Sequence, residues 1–133
     1  MLPCEFVVIG TPVSRQGKGR SRRRWAEQVG SAAIVAFGAA DAPLSVHVRV
    51  SVTYYHEGEP LDVDNMLKPI LDAMKGIVYV DDSLVTDVVG AKRPLDGAFK
   101  LRGITPALAR GFVAGQEFVH IRIELAPDYQ ELP

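Results

Sequence analysis

The sequence is poor in cysteine, nearly devoid of net charge and without a long apolar run. Its single cysteine, Cys4, excludes an internal disulfide framework and any multi-cysteine metal centre. A reduced, cytoplasmic setting is therefore the expectation. The longest stretch of small and apolar residues, Ala32 to Ala40, contains Gly38 and falls well short of a membrane span. No basic leader precedes the first apolar run, as a secretory signal would require. There is no internal repeat and no low-complexity tract. The formal net charge of −1, taken as a sum, offers nothing to a polyanionic partner.

What is present is an ordinary globular composition with an unusual distribution of charge. At 133 residues, 47% hydrophobic and 23% charged, the chain can bury a core of its own. The expected organisation is one domain over residues 1–127 with a short C-terminal tail at 128–133. Arg15, Lys18, Arg20, Arg22, Arg23 and Arg24 crowd into one segment, whereas Glu57, Glu59, Asp62 and Asp64 crowd into another. The near-zero sum hides a basic arm and an acidic pocket. Nucleases need both: cations to hold the phosphate backbone and carboxylates to hold the metal that attacks it.

Periodicity supplies the elements that carry these charges. Glu5 to Ile9 reads as a strand, stopped by Gly10 and Pro12, and Thr11 to Gly19 as a basic loop. Ser21 to Phe37 reads as a helix with Ser21 as N-cap and Gly38 as its stop. Trp25, Val29, Ala32, Ala33, Ala36 and Phe37 recur at helical spacing. The arginines at its start oppose the helix dipole, so something other than helix stability keeps them there. Val46 to Tyr55 alternates strictly and forms the clearest strand. Met66, Leu67, Ile70, Leu71 and Met74 make one face of a second helix. Pro69, tolerated only in a first turn, sets its start near Asn65 or Lys68. Strands are expected at Ile77–Val80, Leu84–Lys92 and Val119–Leu125. Asp96 to Gln116 reads as a loop with a helical turn around Ala107 to Arg110. The resulting fold class is α+β (α/β-like), a mixed sheet with two main helices.

The segment Asp62-Val63-Asp64-Asn65-Met66-Leu67-Lys68, followed by Asp81-Asp82, carries the chemistry. Carboxylates two apart on an extended chain face one side. Crowded without a cation they repel. Hard oxygen ligands suit Mg²⁺, with Mn²⁺ as a substitute. An antiparallel return from the second helix can bring the Asp81-Asp82 turn beside Asp62. Three carboxylates with open metal positions can activate a water and orient a phosphodiester, and a lysine can offset the developing charge. Spacing does not choose between Asp81 and Asp82.

The run Asp-x-Asp-Asn-x-x-Lys, the apolar helix with Leu-Asp-Ala-Met, and Gly-x-x-Tyr-x-Asp-Asp-Ser together resemble the RusA family of Holliday junction resolvases. The opening Gly10-Thr11-Pro12-Val13-Ser14-Arg15-Gln16 is similar to that family's N-terminal segment. The resemblance implies a homodimeric, Mg²⁺-dependent endonuclease cutting symmetrically across four-way DNA junctions. It assigns Asp62, Asp64 and Asp82 to the catalytic and metal-binding positions and Lys68 to the motif lysine. Asn65 and Asp81 become supporting residues. Arg15, Lys18, Arg20, Arg22, Arg23, Arg24 and Lys92 are the candidate DNA-backbone contacts, and no membrane partner is expected.

Plainer readings apply elsewhere. Asp72 and Lys75 read as a solvated helix face, Asp87 as structural, His47 and His56 as non-catalytic, and Trp25 as core. Of Tyr54 and Tyr55, one points inward, and Tyr55 is the one able to touch a substrate. Two rival functions share these residues: a flap or fork nuclease, and a non-cleaving nucleic-acid-binding subunit using the basic arm alone.

Overall fold

Four apolar-rich segments become strands in the computed structural model, which describes residues 2–38, 40–97 and 103–128. They are β1 (Cys4–Ile9), β2 (Val48–His56), β3 (Val85–Pro94) and β4 (Phe118–Leu125). Three helices join them: α1 (Gly19–Phe37), α2 (Val63–Met74) and α3 (Pro106–Ala114), with a 3₁₀ turn at Asp82–Leu84. The sheet order is β1-β4-β2-β3. β1 and β2 both run antiparallel to β4, and β3 runs parallel to β2. A parallel neighbour needs a crossover, and α2 supplies it. The fold is mixed α+β, with one sheet and three helices among the described residues. No helix among them is long and apolar enough to cross a membrane.

Strand alternation sends one set of side chains to a single face. Phe6, Val8, Val48, Val50, Val52, Tyr54, Val119, Ile121 and Ile123 are all buried there. They meet Trp25, Val29, Ala33 and Phe37 of α1 and Met66, Ile70 and Met74 of α2. Burying one such large side chain contributes about 1.5–3 kcal/mol, so this layer fixes both helices to the sheet. α3 packs against β1 and β4, with Gly111 backed onto the Phe118 ring.

Several boundaries differ from the sequence reading, each for a physical reason. β2 starts at Val48 because its partner β4 ends at Leu125 opposite it, leaving Val46 45% exposed. α1 starts at Gly19 with Lys18 at the N-cap, so Ser21 lies inside the helix and caps nothing. Ile77–Val80 is a turn, not a strand. Val78 and Tyr79 are apolar because they are fully buried, and Tyr79 makes only isolated bridges to Leu44 and Lys75. The sheet thus has four strands rather than five among the described residues.

The expected loop at Asp96–Gln116 contains a full helix. Thr105 caps α3 by accepting from the Leu108 amide at 3.3 Å, Pro106 opens it, and Gly115 ends it in the left-handed region. Residues 98–102 of that segment, and the expected tail from residue 129 onward, lie outside the described residues.

Glu117, just before β4, ties together the two loops that lead to α1 and α2. Its carboxylate accepts from the Thr11 hydroxyl at 2.6 Å, the Tyr54 hydroxyl at 2.8 Å and the Glu57 amide. Its backbone carbonyl accepts from the Gly10 amide at 2.8 Å. Partial burial works to raise the Glu117 carboxyl, but the three donors outweigh it and hold the group below its ordinary range. The Tyr54 hydroxyl is pushed up, by burial first and by the Glu117 carboxylate second.

This packing can be tested at two positions. A methyl group at Gly111 overlaps the Phe118 ring, so Gly111→Ala should cost about 1–3 kcal/mol, read as a lowered urea midpoint. Because Glu117 is depressed in the folded state, its contribution is complete above the unfolded carboxyl pKa. It is lost as pH falls through the ordinary glutamate range towards the lower folded value. Glu117→Gln should therefore flatten the acid side of the stability–pH curve, measured by urea unfolding at stepped pH.

Candidate active site

The acidic motif is held by a proline in an unexpected place. α2 begins at Val63, with Asp62 at its N-cap, and continues straight through Pro69. A proline beyond the first turn has no N–H for the carbonyl four residues back, a loss of about 3 kcal/mol in a plain helix. Here that carbonyl belongs to Asn65, and it accepts instead from the Arg15 amide at 3.0 Å. The acceptor that Pro69 leaves open thus anchors the basic loop against the acidic helix. This corrects the expected start at Asn65 or Lys68.

The same correction changes how the carboxylates are arranged. Asp62 is extended, at the N-cap, and makes no side-chain cap, while Asp64 is in the first helical turn. The two therefore do not alternate along a strand. The positive end of the helix dipole favours both charges without any ion pair. Both are exposed, and among the described residues neither side chain has a hydrogen bond or ion-pair partner.

Asp82 reaches the site from the other end of the crossover. Tyr79 is fully buried, and its hydroxyl donates to the Leu71 carbonyl at 2.6 Å, one of the orphan acceptors at the end of α2. Gly76, at φ +80°, makes the turn that precedes it. Asp81 then accepts from the Ser83 amide at 3.0 Å and lies 3.1 Å from the Lys75 ammonium. Those Ser83 hydrogen bonds first, and Lys75 after them, hold the Asp81 carboxyl well below the usual range. Asp81 is the turn-forming residue. Asp82 faces α2, where it accepts from Lys68 Nζ at 3.3 Å. The connection between α2 and this turn belongs to a parallel crossover, not to the antiparallel return expected from sequence.

Lys68 is shared. Its ammonium lies 2.9 Å from Asp72 and 3.3 Å from Asp82. The Asp72 hydrogen bond first, and the Asp82 hydrogen bond second, raise its pKa, so it stays charged at neutral pH. Asp72 and Lys75 are exposed, as expected of a solvated helix face, and each also makes an ion pair there, Asp72 with Lys68 and Lys75 with Asp81. The Lys68–Asp72 spacing of one helical turn is a legible signal for the first. Glu117 has no such signal, because its partners are distant in sequence.

Arg15, Arg22 and Arg23 line a cleft of about 680 Å³ together with Lys68, Pro69 and Asp72. Arg22 also donates to the Arg15 carbonyl at 3.1 Å. α1 begins without a side-chain cap and without an acid in its first turn, so its amides and arginines add positive potential of the same sign. Lys18, Arg20 and Arg24 belong to the same arm, outside the cleft lining. Lys92 lies near the end of β3, opposite Tyr54 in the strand register.

The remaining candidates sit apart. Trp25 is buried in the core. Tyr55 stacks on Phe118 at 4.7 Å and meets Phe112 edge-on. His56 faces the Gly58 carbonyl at 3.1 Å. Asp87 lies 3.9 Å from Arg49. Oxygen donors such as Asp62, Asp64 and Asp82 match Mg²⁺ or Mn²⁺ in kind. Among the described residues, however, no three His, Cys, Asp or Glu side chains are gathered closely enough to hold a metal ion.

No curated protein matches the sequence. The family model for endodeoxyribonuclease RusA matches residues 15–101, well over half of the chain. That span opens at Arg15, which docks on α2, and takes in the acidic motif, the Asp81-Asp82 turn and all of β3. The chain belongs to the RusA endodeoxyribonuclease family.

Proposed function

We propose that this protein is a magnesium-dependent endonuclease that resolves four-way DNA junctions by paired cuts, acting as a homodimer in recombination and repair. The observation that carries the reading is the Lys68 ammonium. It contacts Asp82, stands one helical turn from Asp64, and lines the same cleft as Arg15, Arg22 and Arg23. A binding module gains nothing from carboxylates beside its phosphate contacts, whereas hydrolysis of a phosphodiester uses both signs of charge.

Asp62, Asp64 and Asp82 would hold the cation, Mg²⁺ or Mn²⁺. When bound, the cation supplies the charge that activates water and polarises the phosphate. The chain's own residues do the rest. Arg15, Arg22 and Arg23 seat the phosphate backbone in the cleft. Lys68 offsets negative charge developing on the phosphate or leaving oxygen. Asp72 keeps that ammonium in place, Asn65 fixes the arm through its backbone, and Asp81 shapes the turn. Lys18, Arg20, Arg24 and Lys92 extend the basic track. In-line attack leaves a 5′-phosphate and a 3′-hydroxyl.

The test is cleavage of a four-way junction, a flap and a linear duplex with Mg²⁺, beside Asp64→Asn. Paired nicks in the junction are expected, reduced by roughly 10²–10³-fold in the variant while binding persists. Equal cutting of all three substrates would remove the junction assignment. Binding without cutting in Mg²⁺ or Mn²⁺ would favour the non-cleaving subunit. For the arm, Arg22→Gln with Arg23→Gln should lower the slope of log affinity against log salt by about 0.9 for each phosphate no longer neutralised. An unchanged slope would reduce the arm to scaffold.

A further inference from the structure

The Glu117 carboxylate divides its two oxygens between the two functional loops. Oε1 accepts from the Thr11 hydroxyl at 2.6 Å, at the root of the basic arm, and from the Tyr54 hydroxyl at 2.8 Å. Oε2 accepts from the Glu57 amide, at the root of the loop that leads to Asp62. Farther along, the same two segments meet again, where the Arg15 amide donates to the Asn65 carbonyl at 3.0 Å. The arm and the acidic loop are therefore closed into a ring, pinned to each other at Glu117 and at Asn65. The Gly10 amide, bonded to the Glu117 carbonyl at 2.8 Å, fixes that ring to the start of β4.

β4 does not itself call for such a knot, since β1 and β2 already pair with it on both sides. DNA affinity does not call for it either. A carboxylate at the root of a basic arm works against attraction of phosphate. What the ring does fix is the spacing of the two loops. We propose that Glu117 is a positioning residue of this site. It sets the distance between Arg15, Arg22 and Arg23, which would seat the phosphate, and Asp62 and Asp64, which would hold the cation. It acts through Thr11, Tyr54 and Glu57 rather than on the phosphate itself. Its use rests on the proposed nuclease reading; the ring rests on the hydrogen bonds.

Spacing matters to turnover and binding unequally. A misplacement of about 1 Å between reacting groups can cost about 10²-fold in rate. Affinity for the backbone follows the number of phosphates neutralised, not their offset from the acidic loop. Loss of the Glu117 pin should therefore lower kcat and spare affinity. It should also loosen the other pin, because the Arg15–Asn65 bond then holds the loops with less help. Glutamine can keep the ring closed. Its amide oxygen can accept from the Glu57 N–H, while its NH₂ group faces the Thr11 and Tyr54 hydroxyls, which can turn to accept. Alanine keeps neither side.

The test compares Glu117→Ala, Glu117→Gln and Thr11→Val in the full chain, below the melting temperature of each. Amide hydrogen exchange is read at Arg15, and kcat, KM and Kd are measured on a four-way junction with Mg²⁺. Glu117→Ala should speed exchange of the Arg15 amide about fivefold. It should lower kcat by about 10–10²-fold and leave Kd unchanged. Glu117→Gln should restore slow exchange and most of the turnover, which a role through charge alone does not allow. Thr11 is exposed, so Thr11→Val cuts the arm side alone and reports on the ring even where the alanine variant fails to fold. An Arg15 amide as slow in these two variants as in the wild type would overturn the proposal. So would equal loss of turnover in Glu117→Gln and Glu117→Ala, or weakened binding with kcat intact. A wild-type chain that cuts nothing, while Arg15 exchange responds as expected, would overturn the nuclease reading and leave the ring standing. Junction cutting as fast in Glu117→Ala as in the wild type would overturn this proposal alone.

Discussion

The arrangement of the candidate site depends on one backbone hydrogen bond, from the Arg15 amide to the Asn65 carbonyl. Its existence follows from a residue that stands against the local rule. Pro69 cannot donate to Asn65, so an acceptor inside α2 is left open, and a loop some fifty residues earlier in the chain, the one leading into α1, occupies it. A backbone bond of this kind contributes about 1 kcal/mol, which does not offset a mid-helix proline. The burial of Met66, Ile70 and Met74 does that. What the bond provides is position: it sets a strongly basic segment against the helix that carries the acidic one.

Around that joint the charges sort by task. Asp62 and Asp64 are stabilised by the start of α2 and left without partners among the described residues. Asp81 is consumed by its own turn, and Asp82 is left to face Lys68. Tyr79 makes this division possible by fastening the turn to the end of α2. Two adjacent aspartates of identical chemistry thereby acquire different roles from backbone geometry alone.

Much of the fold is legible in the sequence because its periodicities are strong. Val48 to Tyr54 and Val119 to Leu125 alternate, and Trp25 to Phe37 repeats at helical spacing. The basic and acidic segments are visible as charge, and the motif spacing points to the family that the matched span supports. Sequence and structure part where a residue's local rule is overridden. Pro69 suggests a helix start, but a tertiary donor takes up the freed carbonyl. Val78 and Tyr79 resemble a strand because burial, not pairing, selects them. Gly111 hides a helix, though it is there to admit the Phe118 ring. Asp72 is exposed, as its sequence position suggests, but its pairing with Lys68 is missed as long as Lys68 is matched with Asp64, the acid on its other side. Glu117 is invisible locally, since its partners are Thr11, Tyr54 and Glu57. Spacing alone leaves Asp81 and Asp82 equivalent, the resemblance alone selects Asp82, and the structure adds that Asp81 caps Ser83 while Asp82 faces Lys68.

The central position of β4 has a consequence for how the molecule comes into being. β4 is the last strand in the described chain, yet it lies between β1 and β2 and pairs with both. Until it emerges from the ribosome, β1 has no strand to pair with and β2 lacks one of its two partners. Glu117, which ties the loops before α1 and α2, arrives with it. The sheet therefore closes late and all at once, through contacts between segments far apart in the chain, the kind that fold slowly. A nascent chain carrying the whole acidic motif and the whole basic arm has no rigid site until synthesis has passed β4. Any cutting of DNA would wait for that strand, a delay set by chain order and not by a regulator.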